Sequence, residues 1–246
     1  AKNPSEIGDS SESKAVSEFV DYEYVDDKDI LWSKVVYEFI DLNERLNFPL
    51  LFPVNDTKYD DTRKSLWRVI RESIENGKIS EVYDSNNDNF TEASRIIGKD
   101  STDLEANIYK NYNITDIYKS KYVPESFVPR EVASSADIFG YVIKGIWYFD
   151  KIHAELRYRL LAIQPYGTDL KTSVDGEETE TGYFWIWYPS IREILDDHLV
   201  FNDKNNNNRV SFDELLINRR FSSYIYKYDN VYGDREICLL YTSDAA

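Results

Sequence analysis

Ile138-Phe-Gly-Tyr-Val-Ile-Lys-Gly-Ile-Trp-Tyr-Phe149, followed a turn later by Leu156-Arg-Tyr-Arg-Leu-Leu-Ala-Ile163, is the stretch whose reading decides the fold. In the first run Phe139, Tyr141, Ile143, Trp147 and Phe149 alternate with smaller or polar residues, the period of a strand with one face buried. In the second, Leu156, Tyr158 and Leu160 fall on one side and Arg157 and Arg159 on the other. Asp150 to Glu155 turns the chain between them, so the pair predicts an antiparallel hairpin. A polar loop over 168–182 leads to Phe184-Trp-Ile-Trp-Tyr188, a third strand, and Pro189-Ser190 opens a helix through Leu199.

Working outward, Leu31, Val35, Phe39, Leu42 and Leu46 recur at helical spacing, which predicts an amphipathic helix over 29–46 capped by Asp27 or Asp29. Asn47 to Pro53 reads as a short extended run because its prolines restrict it. Thr62 to Asn76 is a second helix, with Leu66, Ile70 and Ile74 on one face and Asn76-Gly77 at its end. Residues 84–136 are rich in Asn, Asp, Ser, Thr and Tyr without a clear period and predict irregular structure. Residues 1–21 contain few large apolar groups and predict a flexible acidic and polar segment. The expected fold is α+β: one domain over 22–246, with a small antiparallel sheet of about three strands, several helices and long irregular segments.

The chain has 246 residues, 42% of them apolar, enough for a substantial core. Its 29 basic against 45 acidic residues give a net charge of −16, which repels nucleic-acid backbones and anionic lipid surfaces. No apolar run approaches bilayer length, so no transmembrane segment is expected. The start, Ala-Lys-Asn-Pro, without an initiator Met or an apolar targeting core, fits a mature chain whose signal peptide is gone or was never included. With Cys238 alone, an intramolecular disulfide has no second partner. Aromatic residues make up 15% of the chain, which suits partner interfaces or sugar-stacking platforms as well as cores.

The sharpest local motif runs from Asp203 to Glu214, where Asp203, Asn205, Asn207, Ser211 and Glu214 sit at the oxygen-ligand spacing of a calcium loop. Asn208 replaces the glycine of the sharp turn, and Asp203 and Glu214 are the only carboxylates among the ligands. Calcium would therefore be weakly held. The alternative is an Asn-rich turn leading into a helix capped at Ser211, with Glu214 closing a capping box. His153 and His198, the two histidines, lie in no triad or zinc spacing, and the 9 glycines form no phosphate loop. No catalytic residue, cofactor or metal ligand is assigned on these grounds.

Several blocks in order resemble the GldN/PorN family. They are Asp29-Ile-Leu-Trp32 through Tyr37, Asn47-Phe-Pro49 through Pro53, Ile146-Trp147-Tyr148-Phe149-Asp150-Lys151 and Arg159 through Pro165. Then come Phe184-Trp185-Ile-Trp187-Tyr-Pro189 with Arg192, Val200-Phe201-Asn202, Ser211 through Leu215, Arg219 through Lys227, and Asn230-Val-Tyr232 with Arg235-Glu236-Ile237. The resemblance covers about residues 22 to 240. It implies a non-enzymatic, periplasmic building block of the type IX secretion and gliding machinery of Bacteroidetes-type bacteria. Such a subunit is held to the inner face of the outer membrane by a lipoprotein of GldK/PorK type, forms a homo- and hetero-oligomeric ring with it, and contacts the periplasmic part of GldM/PorM. The end, Tyr241-Thr-Ser-Asp-Ala-Ala, departs from the charged tail expected of that family, which suggests truncation.

Because Trp, Tyr and Arg dominate binding hot spots, exposed members of Trp185, Trp187, Tyr188, Arg219, Arg220 and Phe221 are the expected partner anchors, with core packing as the alternative for each. A different class is a cell-envelope module that binds carbohydrate or protein with calcium at 203–214. An enzyme would need a cleft joining His153 or His198 to carboxylates of perturbed pKa.

Overall fold

The structure, a computed structural model, describes residues 29–55, 63–86, 88–97, 115–117, 130–168, 180–200, 210–229 and 235–236. In chain order the elements are β1 (Ile30–Asp41), α1 (Phe48–Leu51), α2 (Leu66–Glu75), β2 (Glu81–Asp84), β3 (Arg95–Ile97), β4 (Thr115–Ile117) and β5 (Arg130–Val132). There follow β6 (Ile138–Asp150), β7 (Glu155–Thr168), β8 (Glu180–Gly182), β9 (Phe184–Trp187), α3 (Tyr188–Asp196), α4 (Phe212–Ile217), β10 (Tyr224–Tyr228) and β11 (Arg235–Glu236).

The expected hairpin is β6 paired with β7, and the third expected strand, β9, pairs with β7 as well. These three are only the centre of something larger. Among the described residues one antiparallel sheet of nine strands runs β11-β10-β1-β6-β7-β9-β2-β3, with β8 also on β7, while β4 and β5 form a separate pair. The small three-stranded sheet packed among several helices is thus corrected to a large sheet with a few short helices.

The largest single correction is β1, expected as a helix. It pairs with β6 from Ile30 to Asp41 and with β10 from Val36 to Phe39. Its Val35, Val36 and Ile40 are β-branched and its Trp32, Tyr37 and Phe39 aromatic, residues that lose χ1 freedom in a helix and pack well on a pleated surface. From Val35 to Ile40 the strand is buried or half-buried on both faces, and such a two-faced run satisfies helical and strand spacing alike. The run around Pro49 also differs from expectation. Phe48–Leu51 is a helical turn with proline at its start, where the missing N–H costs nothing.

Along β7, Lys144 pairs with Ala162 but Gly145 pairs with Leu160, so Leu161 is the extra residue of a bulge. The sheet therefore keeps one set of side chains on each face. Ile40, Tyr141, Ile143, Ile163, Phe184 and Ile186 point to the face that receives Leu66, Trp67 and Ile70 of α2, Tyr188, Ile191 and Leu195 of α3, and Phe212, Leu215 and Leu216 of α4. This is the main core. Helix α2 begins where Ser65 Oγ accepts the Arg68 N–H at 3.1 Å. It is fastened by Trp67 Nε1 donating to the Ala133 carbonyl at 3.0 Å. Tyr188, opening α3, donates to Asp213 Oδ1 of α4 at 2.7 Å. Arg192 donates to the same carboxylate at 3.1 and 3.0 Å, locking the two helices together.

Candidate partner-binding face

The opposite face of the sheet carries Tyr37, Val142, Ala162, Tyr83 and Trp185, bordered by Val35, Phe39, Phe90, Tyr166, Trp187 and Tyr226. None of α2, α3 or α4 contributes to this second cluster. The turn between β2 and β3 folds back so that the Phe90 ring lies 5.1 Å from Tyr83, 6.2 Å from Trp185 and 5.3 Å from Trp187. A second row runs from exposed Tyr224 to Phe39 at 5.6 Å and on to Tyr166 at 5.5 Å. These tilted and edge-on rings leave a ridged aromatic surface across β10, β1, β7 and β9.

One charged knot sits within it. Asp88 accepts the Tyr37 hydroxyl. Lys144 Nζ donates to the Asp88 carbonyl at 2.6 Å, and Lys227 Nζ lies 3.7 Å from its carboxylate. Both ammonium groups also lie over the Tyr37 ring, at 5.2 and 4.4 Å. Burial pushes the Asp88 carboxyl up, but the Tyr37 hydroxyl and the two lysines outweigh it and hold the group below its ordinary value. Burial, with Glu180 and Tyr224 nearby, raises the Tyr166 hydroxyl. The result is aromatic area carrying one carboxylate between two ammonium groups, suited to another apolar-and-aromatic surface or to the flat face of a sugar ring.

The six residues expected as anchors do not share one surface. Trp185 and Trp187 belong to the aromatic face: Trp185 is buried beneath Phe90, and Trp187 is half-buried. Tyr188 and Phe221 are buried in the main core on the other side. Arg219 also lies on the main-core side, where it donates to Glu38 at 3.1 and 2.6 Å and stacks 4.1 Å from the Tyr158 ring centre. Arg220 is exposed, with Glu214 at 3.4 Å. Glu38, only 1% exposed, escaped sequence reading. A carboxylate inside the apolar run Val35 to Ile40 was its signal, because a charge placed there needs a cation above it.

His153 lies in the β6–β7 turn, as expected, with Nδ1 2.7 Å from Asp150 Oδ2. That hydrogen bond, with the backbone N–H groups of His153 and Ile152, holds the Asp150 carboxyl low. His198 Nδ1 lies 2.8 Å from the Ile194 carbonyl at the end of α3. The two imidazoles thus have separate local partners. Among the described residues no group of three or more His, Cys, Asp or Glu could hold a metal ion. Positions 203–209 of the proposed calcium loop lie outside the described residues, as does Cys238. At the far end of that loop, Ser211 Oγ accepts the Glu214 N–H at 3.1 Å and starts α4. No helix of the described residues is long and apolar enough to cross a membrane.

The sequence profile of the family described as "Gliding motility associated protein GldN" matches residues 25–245. No curated protein matches the chain.

Proposed function

From the premise that this chain belongs to the GldN family and is a component of the gliding-motility and type IX secretion machinery, we propose that it is a non-enzymatic assembly subunit of the periplasm. In this reading it is one domain from about residue 22, preceded by a flexible segment. It builds a ring with an outer-membrane lipoprotein of GldK/PorK type and meets the periplasmic part of a GldM/PorM-type protein. The family match over residues 25–245 carries the reading. The aromatic face supports it, being the side of the sheet to which the main-core helices contribute nothing.

Within that face Tyr224 is exposed and Trp187 is half-buried, and Arg220 is exposed on the other side. Co-purification with the lipoprotein, followed by negative-stain imaging, is expected to give a large ring. Trp187→Ala with Tyr224→Ala is expected to weaken the complex by about thirtyfold, the effect of a hot spot of roughly 2 kcal/mol. A chain that ignores the lipoprotein and whose melting temperature instead rises with calcium or a glycan would replace this reading with that of an envelope binding module, using 203–214 for calcium.

A further inference from the structure

At one end of the molecule the sheet runs on past its cover. Arg219, just after α4, lies 4.1 Å from the Tyr158 ring centre and 5.4 Å from that of Trp147, two residues paired across β6 and β7 beside Lys34 of β1. One row further out, Trp32 stands opposite Phe149 and Phe149 opposite Leu156. Residues two apart along a strand and directly opposite across a pair share a face, so this outer row lies on the Arg219 side. It is open. Trp32 is 50% exposed and Leu156 54%, with Leu31 at 64% in the bulge beside Trp32 and Ile152 at 66% in the β6–β7 turn. Lys151 N–H donates to the Asp29 carbonyl and Ile152 N–H to Asp150 Oδ1, both at 2.8 Å, which holds the end rigid. The result is a step: an apolar floor one row deep, with Arg219 at its back.

The step has the height of one layer. A helix is about 10 Å thick and a second sheet packs about 10 Å above a first, so the space over the outer row fits a sheet end of the same kind. A second copy turned about a two-fold axis parallel to the row supplies one. Its outer row then lies on the first, each sheet end abuts the other's Arg219, and the helices of the two copies point to opposite ends without collision. Charge agrees with this occupant. Around the step Lys34, Lys151, Arg157 and Arg159 are matched by Asp29, Asp150, Glu155 and Asp229, whereas the whole chain carries −16. Arg157 is held by Asp150 and Glu155, and Lys34 lies 4.2 Å over the ring of Tyr228, the neighbour of Asp229. Two copies repel where the acidic excess faces itself, and the neutral step lets them meet without that cost. A strongly charged partner finds no match here.

We propose that the step at the β1–β6–β7 end is an isologous interface whose occupant is the same step of a second copy of this chain. The four exposed side chains offer roughly 450 Å² of apolar surface, about half of the ~800 Å² that each side of a standard interface covers. Pairing is therefore reversible, with a dissociation constant in the micromolar range. The contact stands apart from the ring reading. It needs only this chain, and an isologous contact joins two copies and stops, whereas closing a ring takes two different surfaces on each subunit.

The test is sedimentation velocity of the full chain across the micromolar range, at low and at high salt. A monomer–dimer equilibrium is expected, tighter at high salt because screening weakens the repulsion between two acidic copies while the apolar contact remains. Leu156→Glu is expected to weaken pairing roughly thirtyfold, since the two-fold axis counts the change twice. Trp32→Ser serves as the second variant, and the melting temperature is checked for both. A chain that stays monomeric throughout, or a dimer that neither variant weakens, overturns the proposal. Open-ended oligomers abolished by the variants overturn it too, since they need a head-to-tail contact. So does a monomeric chain whose complex with the lipoprotein is lost in Leu156→Glu, which would give the step to that partner.

Discussion

Arg219 stands where a helix C-terminus favours glycine. After α4 its φ is 51°, while the Arg219 N–H donates to the Leu216 carbonyl and the Arg220 N–H to the Leu215 carbonyl, the paired bonds of a Schellman stop. A side chain in that conformation costs roughly 1 kcal/mol. The offset is its hold on Glu38, which has Ser223 Oγ donating to it as well at 2.6 Å. Burial works to lower the guanidinium pKa, but the bonds to Glu38 and its charge outweigh that and raise it. Arg219→Ala is therefore expected to lower unfolding stability by about 3–5 kcal/mol, because it strands a buried carboxylate. Adding Glu38→Leu should return most of the loss, and denaturant melts of the single and double variants check both outcomes.

At the scale of elements, β1 and α2 test opposite sides of the same rule. Helix α2 was legible because its apolar stripe faces one core and Asn76-Gly77 marks its end; its start, expected at Thr62, lies instead at the cap Ser65, which is also 2.6 Å from Ser135 Oγ. Ser65→Ala should cost about 1–2 kcal/mol in a thermal or denaturant melt, from the lost cap and an orphaned hydroxyl. Strand β1 was illegible because residues distant in sequence pack on both faces of its Val35 to Ile40 half. A peptide of residues 29–46 should show little helix by circular dichroism. In the whole protein the Val36 to Ile40 amides should fall among the slowest to exchange, since β6 and β10 flank them. Strong helicity in the peptide would show that local preference is being overridden rather than followed.

For the whole molecule, acid stability follows from carboxylates fixed between elements. Burial raises Glu72 and Asp88, but Lys64 and Arg68 outweigh it at the first, and Tyr37, Lys144 and Lys227 at the second, leaving both below their ordinary values. Groups lowered by folding stabilise fully above the unfolded value of roughly 4, and that contribution is lost as pH falls through the lower folded values. Stability should thus decline from about pH 5 downward, and Asp88→Asn should make the decline shallower in melts taken across that range. The hairpin 138–163, the strand at 184, helix α2 and the family were all present in the sequence, because each rests on local periodicity, a cap or a string of residues in order. Tertiary structure alone decided that 30–41 is a strand, that the sheet has nine strands, that Glu38 lies under Arg219, and that Trp187 and Arg220 lie on opposite sides. Those outcomes depend on which distant strand supplies the second edge or the covering face, and a single run of residues does not encode its partner.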